Sequence, residues 1–411
     1  MSRNVLAGKR IVLGVTGSIA AFKAVALAST LTQAGALVDV VMTPEATQLI
    51  QPLSFQALTQ RAVAVDMFST LANSEISHVS LGHHADVVCI APATAHTLAK
   101  LAHGLADDLV TTTCLATRAP LVIAPAMDAD MYDHPAVRAN VQTLRERGAT
   151  IVEPGHGRMA SGLVGQGRLA EPPVIADTLR MVLARNGDLA GWRVVVTAGG
   201  TQEAIDPVRY VSNHSSGKMG YAVAEAARDR GASVVLVSAP TALSAPFGVD
   251  VQRIRSAAEM HDAVMTALAD ADLLVMAAAV ADYRPATVAD QKIKKKDDEL
   301  TLQLAKTTDI LAATAALASE RLVRIGFAAE SQDLVNNAAD KLERKRLDLI
   351  VANDISRTDS GFGTDDNAVI FLDRAGGQRE LPLIPKRDVA DLILDEALAI
   401  RAARGTARNS P

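Results

Sequence analysis

The stretch RIVLGVTGSIAAFKAVALASTLTQAGALVDVVM, residues 10–42, decides the fold. Arg10–Val15 is a short apolar, β-branched run that ends in Thr16-Gly17-Ser18. Ala20–Gln33 follows with a helical pattern, and Leu37–Met42 (LVDVVM) begins a second run of strand type. Strands that stay apolar without alternation are buried on both faces, as in a parallel sheet covered by helices. Further runs at Asp86–Ile90, Leu121–Ala124 and Thr150–Val152 read as strands. Thr94–His103, Asp107–Thr117 and Ala136–Gly148 read as the helices between them.

The rhythm breaks at Leu183–Trp192 (LARNGDLAGW), where Asn, Asp and two glycines intervene. It restarts with Arg193–Thr197, a Gly199-Gly200 turn and a helix over Gly217–Arg230. Ser233–Val237, Asp272–Ala277, Leu322–Phe327 and Leu347–Val351 supply further strands. The expected fold is α/β: two doubly wound, mostly parallel-sheet domains of Rossmann or flavodoxin type, residues 1–188 and 189–411. The tail Arg401–Pro411 (RAARGTARNSP) is expected to fray.

Composition agrees with two globular domains. The chain has 411 residues, 49% hydrophobic and 21% charged, with only 3% aromatic. Small aliphatic residues suit helices packed on a parallel sheet. A net charge of −5 gives no basic field for nucleic acid or anionic membrane. No stretch approaches the ~20 apolar residues of a spanning helix, and no cleavable apolar signal precedes the first strand. Cys89 and Cys114 lie in apolar runs with no metal or redox spacing, so they read as buried thiols in a reducing cytosol. The expectation is a soluble cytoplasmic protein.

Open α/β sheets bind ligands at the carboxyl ends of their strands, where helix N-termini present free N–H groups. Gly17-Ser18-Ile19 follows the first strand and is either a phosphate cradle or a structural turn. APATAHT (91–97) and PAMDADMY (125–132) also follow buried strands. His78, within residues 76–86 (ISHVSLGHHAD), reads by itself as a capping or surface histidine or as a catalyst.

In the second half, residues 206–220 (DPVRYVSNHSSGKMG) place polar groups and Lys218 before a helix, as an anion site or a well-capped start. Asp282 ends a strand, in position for a cation or a base edge. The run Lys292-Ile293-Lys294-Lys295-Lys296 is a solvated surface or a triphosphate clamp, and Lys341 and Lys345 share a helix face.

Together these motifs become specific. GSIAAFK, the SHxxLG segment, APATAHT, ADDL and PAMDADMY resemble, in order and spacing, the flavin-dependent cysteine decarboxylases. The resemblance implies FMN held by Gly17, Ser18, Ile19, Thr43, Thr94 and Met127, with His78 as the catalytic histidine. In that family FMN oxidises the substrate thiol, the thioaldehyde loses CO₂, and the enethiolate is reprotonated and reduced. An α-carboxylate leaves readily only when the adjacent skeleton accepts its electrons.

Two positions depart from the pattern. Asp128 stands where the family has an asparagine that holds the substrate carboxylate, and Ser161, on the substrate flap, stands where it has a proton-donating cysteine. A carboxylate repels a carboxylate unless protonated or counterbalanced, and a hydroxyl is a far weaker acid than a thiol. The first half therefore completes decarboxylation with other groups, such as His156 or a cysteine contributed elsewhere, stops at an enethiol, or serves as a silent scaffold. The first is the expectation, since a fused ligase would make this domain's substrate.

DPVRY, SNHSSGKMG, AAAVADYRP, KIKK, GFAAE, KLERK and DLIVAND resemble the bacterial CTP-using phosphopantothenate–cysteine ligases across nearly the whole second half. The resemblance implies CTP contacts at Ala278, Ala279, Asp282, Lys292, Thr308, Asp309, Phe327, Lys341 and Lys345, with Mg²⁺ near Asp282. Asn213 matches the residue acting on the acyl-cytidylate, and Lys292 the lysine tied to carboxylate activation. The implied substrates are phosphopantothenate, cysteine and CTP, and the implied pathway is coenzyme A biosynthesis. The implied assembly is a homo-oligomer, a dodecamer built from flavin-domain trimers and ligase-domain dimers. A competing pair of NAD(P)-binding domains would need a GxGxxG turn and a later acidic residue, and neither half has them.

Overall fold

The computed structural model describes residues 4–67, 77–294, 300–317, 319, 321–330, 333–354 and 363–407. The chain divides into two compact units, Asn4–Arg185 and a second that begins at Asn186.

In the first unit β1 (Arg10–Val15) leads into α1 (Ala21–Gln33) and β2 (Leu37–Met42). Then come α2 (Pro44–Thr47), α3 (Pro52–Thr59), α4 (Ser77–His84), β3 (Val87–Ala93), α5 (Ala95–His103), α6 (Leu109–Ala116) and β4 (Leu121–Pro125). After these follow α7 (Ala129–Asp133), α8 (Pro135–Glu146), β5 (Thr150–Ile151), β6 (Gly155–Arg158), β7 (Val164–Arg168) and α9 (Pro172–Ala184). The five-stranded parallel sheet has the order β2-β1-β3-β4-β5, so the winding reverses between β1 and β3. That is the flavodoxin-type order, with its ligand crevice at the reversal.

Sequence explains the elements locally. Ala21, Ala24, Leu27, Ala28 and Leu31 recur at helical spacing and are the buried stripe of α1. Thr94 caps α5 by accepting from Thr97 N at 3.2 Å, and Gly104, at φ +70°, ends it. All seven residues of β3 are buried, with helices on both sides: Leu27 and Leu31 on one face, Leu98 and Leu109 on the other.

In the second unit β8 (Arg193–Ala198), β9 (Gln202–Ala204), β10 (Tyr210–Ser212), α10 (Lys218–Arg228), β11 (Ser233–Ser238), β12 (Asp250–Arg253) and α11 (Ala257–Ala267) come first. Next are β13 (Leu273–Met276), β14 (Tyr283–Pro285), β15 (Leu304–Lys306), α12 (Ile310–Ala313), β16 (Val323–Glu330), α13 (Leu334–Arg344) and β17 (Leu349–Asp354). β18 (Asp366–Asn367), β19 (Val369–Asp373), β20 (Gln378–Glu380), β21 (Ile384–Pro385) and α14 (Lys386–Ala407) complete it. The main sheet runs β12-β11-β8-β13-β16-β17-β19-β20. Its first six strands are parallel in the Rossmann order, reversing between β8 and β13. β19 and β20 add antiparallel at one edge, an extension that the parallel-strand reading did not contain.

The tail is a correction. Helix α14 runs through Ala407 instead of fraying at Arg401; residues 408–411 lie outside the described residues. Two aspartates at strand starts hold it. Arg401 reaches Asp272 at 3.5 Å and lies 5.6 Å from the Trp192 ring centroid. Arg404 pairs with Asp348 and donates to Leu322 O at 3.0 Å. Asp272 and Asp348 are both buried, so they need these partners. A protein ending at Ile400 is expected to lose ~1–3 kcal/mol, the part-exposed arginines being discounted for screening. Calorimetry should show the ligase-half transition falling by roughly 2–4 °C per kcal/mol.

Candidate active sites

In the first unit the candidate flavin residues gather at the carboxyl ends of four strands. Gly17, Ser18 and Ile19 follow β1, Thr43 follows β2, Thr94 follows β3 and Met127 follows β4. Thr16 Oγ1 donates to Pro92 O at 2.8 Å and accepts from Thr94 N at 3.1 Å, so the β1 and β3 ends are tied together at the winding reversal. Gly17 is required by space: a Cβ there would lie 2.6 Å from Glu45 Cβ. Its absence lets the β1 turn rest on α2, which Thr43 caps by accepting from Ala46 N at 3.3 Å. Backbone approach at Gly17 and hydroxyls at Ser18, Thr43 and Thr94 are donors of the kind a flavin phosphate and ring edge require.

A cavity of about 330 Å³ opens beside this crevice, lined among others by Ser18, Ile19, Met127, Asp128, Arg158, Ser161 and Arg168. The two departures from the family pattern meet in it: Ser161 Oγ donates to Asp128 Oδ2. Asp128 Oδ1 accepts from Asp130 N at 3.3 Å and so caps α7. The β6–β7 hairpin carries Ser161 in its turn. It lies flat on the loop after β4 because its glycines have no side chains: a Cβ at Gly167 would sit 2.5 Å from Met127 O, and one at Gly165 2.6 Å from Ala129 Cβ. Met127 N donates to Gly167 O at 3.0 Å.

Gly17, Thr43, Thr94 and His78 do not line this cavity, and neither does His156, which is exposed on β6. His78 lies in the first turn of α4, and its Nδ1 is buried with no hydrogen-bond partner among the described residues. Ile76 of its motif lies outside the described residues. Asp108 of ADDL caps α6 by accepting from Thr111 N at 2.8 Å and pairs with Lys100 at 2.9 Å, so this motif fixes a helix. Burial pushes the thiols of Cys89 and Cys114 up to about 12, which leaves neither able to serve as an acid or nucleophile near neutrality.

In the second unit the β8 and β13 ends are laced together at the reversal. Ala279 N donates to Gly199 O at 2.9 Å, Thr201 N to Ala279 O at 3.2 Å, and Ala281 N to Thr201 Oγ1 at 2.9 Å. Beside them a cavity of about 430 Å³ is lined by Ala278, Asp282, Thr308, Asp309, Phe327, Lys341 and Lys345, with Tyr283, Lys306 and Thr307. Seven of the expected nucleotide residues are thus brought together; Ala279 and Lys292 are not among its lining. Lys306 and Thr307 were not anticipated, because β15 is a three-residue strand with no motif of its own.

Charges here are held by short contacts. Lys341 Nζ donates to Phe327 O at 2.8 Å. Lys345 pairs with Asp309 at 3.0 Å. Burial alone would raise the Asp309 carboxyl, but Ala312 N–H and Lys345 more than offset it and hold it below the usual range. Arg324, fully buried on β16, donates through Nη2 to Arg346 O at 2.9 Å and so fixes the end of α13, where Lys345 sits.

Asn213 stands on the loop after β10, and its Nδ2 donates to Val280 O at 3.2 Å, which places its amide at the rim of the β13 end. Lys292 is exposed, but its neighbour is anchored: Ile293 N donates to Asp206 Oδ2 at 3.1 Å, and Arg209 Nη2 donates to Ile293 O at 2.7 Å. Burial pushes the Asp206 carboxyl up, and Arg209 with three backbone N–H groups outweighs this and holds it well below its ordinary value. Asp206 and Arg209 of DPVRY therefore set the base of the lysine segment, a role their sequence did not reveal. Lys295 and Lys296 lie outside the described residues.

Among the described residues no group of three or more His, Cys, Asp or Glu could hold a metal ion, and no helix is long and apolar enough to cross a membrane. Asp282 lines the nucleotide cavity and fits Mg²⁺ held by one carboxylate together with substrate phosphates, while both oxygens of Asp309 are taken by Lys345 and the Ala312 N–H.

Comparison with known proteins gives matches over both units. Residues 2–184 match the family model described as flavoprotein, and residues 189–400 match the DNA/pantothenate metabolism flavoprotein C-terminal domain. Over 403 residues the chain is 46% identical to the coenzyme A biosynthesis bifunctional protein CoaBC of Bacillus subtilis (strain 168), covering 97% of this chain and 99% of that one. It is 46% identical over 391 residues to the protein of the same name from Vibrio cholerae serotype O1, covering 95% and 98%. Among solved structures, the FMN-dependent cysteine decarboxylase SpaF is 38% identical with a TM-score of 0.37, covering 42% of this chain and 99% of that one.

Proposed function

The chain belongs to the bifunctional CoaBC family of coenzyme A biosynthesis, and from that premise we propose how its residues divide the two activities. It is both a phosphopantothenate–cysteine ligase and an FMN-dependent phosphopantothenoylcysteine decarboxylase. The decarboxylase is assigned to residues 1–188 and the ligase to residues 189–411. The observation that supports this division is the pair of cavities, each beside a winding reversal and each lined by its own set of candidate residues.

In the ligase, the phosphopantothenate carboxylate attacks the α-phosphorus of CTP and pyrophosphate departs. Lys341, Lys345 and Lys306 line the cavity and offset the negative charge that grows on the phosphates. Mg²⁺ near Asp282 supplies further charge neutralisation when bound. The cysteine amine then attacks the acyl carbonyl, and CMP leaves as the amide forms. Asn213 points its amide at the developing oxyanion, and Lys292 steadies the activated carboxylate.

In the decarboxylase, Gly17, Ser18, Ile19, Thr43, Thr94 and Met127 would hold FMN at the β1/β3 crevice. FMN held there would supply the two-electron acceptor for oxidation of the substrate thiol and the donor for the closing reduction. His78 moves a proton at the substrate. Asp128, hydrogen-bonded by the Ser161 hydroxyl, lines the cavity beneath the hairpin where the substrate would lie.

Exposed Leu53 and Leu58 in the first unit are apolar surface that the flavin-domain trimer we propose would cover. Exposed Tyr210 and Leu304 in the second are apolar surface that a ligase-domain dimer would cover, and the proposed assembly of such trimers and dimers is a dodecamer. Two buried free cysteines support a reducing, cytoplasmic setting.

Incubation of the whole protein with phosphopantothenate, cysteine, CTP and Mg²⁺ tests the reading, with products resolved by mass. Phosphopantetheine is expected. Phosphopantothenoylcysteine as the end product, or a product two hydrogens lighter than phosphopantetheine, would overturn the decarboxylase mechanism; no product would overturn the ligase.

A further inference from the structure

We propose that Arg158 and Arg168 form the clamp for the phosphomonoester of the decarboxylation substrate, an assignment that rests on the decarboxylase reading of the first unit. Both come from the β6–β7 hairpin, one from each strand, and both line the 330 Å³ cavity with Lys23 and Asp128. Lys23 is engaged with Glu171 at 2.7 Å. Neither arginine has a carboxylate within ion-pair distance among the described residues. Asp128, the one carboxylate in the lining, is occupied by Ser161 and Asp130 N–H. With Lys23 answered by Glu171, two arginines and one carboxylate leave this cavity with surplus positive charge, which a phosphate answers.

The hairpin's glycines place the arginines. A Cβ at Gly157 would lie 2.8 Å from Arg168 Nη1 and 3.1 Å from its Cδ, so the Arg168 side chain lies across the bare backbone of the opposite strand. Gly162, at φ +91°, makes the turn, and the point where its Cβ would be is 3.9 Å from Arg158 Nη2. With the hairpin resting on the Met127–Ala129 loop, both guanidinium groups are carried on a braced segment.

The substrate offers two anions, a carboxylate and a phosphate. A guanidinium on the carboxylate would stabilise the charge that disappears as CO₂ leaves, favouring the ground state over the transition state. A guanidinium on the phosphate keeps its partner throughout and contributes equally before and after. The planar guanidinium fork also matches phosphate oxygens in pairs. Arg158 and Arg168 therefore determine specificity for the phosphorylated substrate. The flavin carries a phosphomonoester too, and the experiment separates the two.

Full-length R158Q, R168Q and the double variant are compared with the parent on phosphopantothenoylcysteine and on pantothenoylcysteine, which lacks the phosphate. Flavin content is read by absorbance, and thermal unfolding of the flavin half serves as the folding control. Each single variant is expected to raise KM for the phosphorylated substrate about 10–100-fold, as loss of a charge-assisted contact implies, with kcat, flavin content and the KM for pantothenoylcysteine nearly unchanged. Equal KM rises on both substrates, or loss of flavin, would overturn the assignment, the latter giving the clamp to the cofactor's phosphate. Calorimetric titration with phosphopantothenoylcysteine supplies a readout independent of turnover. If the parent binds it but does not decarboxylate it, weaker binding by the double variant upholds the clamp while the decarboxylase reading fails. Unchanged binding sinks the clamp by itself.

Discussion

Asn213→Asp protein is expected to form the acyl-cytidylate, release pyrophosphate and then stall, with amide formation down roughly 100–1,000-fold, the loss typical of one oxyanion donor. Position is the reason. The Asn213 amide reaches Val280 O at 3.2 Å, at the β13 end beside the nucleotide cavity. Its loop is fixed from below, since a Cβ at Gly200 would lie 2.5 Å from Asn213 O. An aspartate has the same shape on the same loop, but it replaces an N–H donor with a negative oxygen that repels both Val280 O and a developing oxyanion. The cavity residues that meet CTP are untouched, so the first half-reaction continues. Quenched reactions resolved by mass should show acyl-cytidylate without amide; cysteine ligation at the parental rate would refute the role.

The second large effect is expected at His78. His78→Asn should lower decarboxylation by about 100–10,000-fold, the range that general acid–base catalysis supplies, while ligation continues and phosphopantothenoylcysteine accumulates. The His78 Nδ1 atom is buried with no partner among the described residues, an arrangement that costs stability unless a ligand answers it. Asparagine supplies a polar group of similar reach that does not titrate near neutrality, so it separates hydrogen bonding from proton transfer. Flavin absorbance should be unchanged. Decarboxylation at the parental rate by a flavin-loaded variant would assign the proton to another group.

Much of this was legible in the chain because parallel strands buried on both faces write themselves as continuous apolar runs. RIVLGV, LVDVVM and RVVVT gave strands at or within one residue of the observed boundaries. The switch-point crevices followed from the same reading, since ligand residues after parallel strands must gather at one sheet edge. What sequence did not disclose depends on partners far away along the chain. β20 is exposed throughout and reads as a loop, and β19 (VIFLD), though largely buried, pairs antiparallel at an edge outside the repeated strand–helix rhythm. The tail composition RAARGTA reads as solvated, yet Arg401 and Arg404 are fixed by Asp272 and Asp348, 129 and 56 residues away. Asp206 is unremarked in DPVRY until Ile293 N appears at 3.1 Å. The Ser161–Asp128 contact joins two positions that sequence could only mark as separate departures.

Both cysteines of the chain, Cys89 and Cys114, are shut away with their thiols pushed up to about 12. An enzyme that handles free cysteine and a thiol-bearing product thus offers no accessible sulfur of its own to be trapped as a mixed disulfide with them. The same property makes it a clean background for labelling. A single cysteine introduced on the β6–β7 hairpin should react with a maleimide dye while the native pair stays silent, so motion of that hairpin could be followed by fluorescence without first stripping the protein of its own thiols.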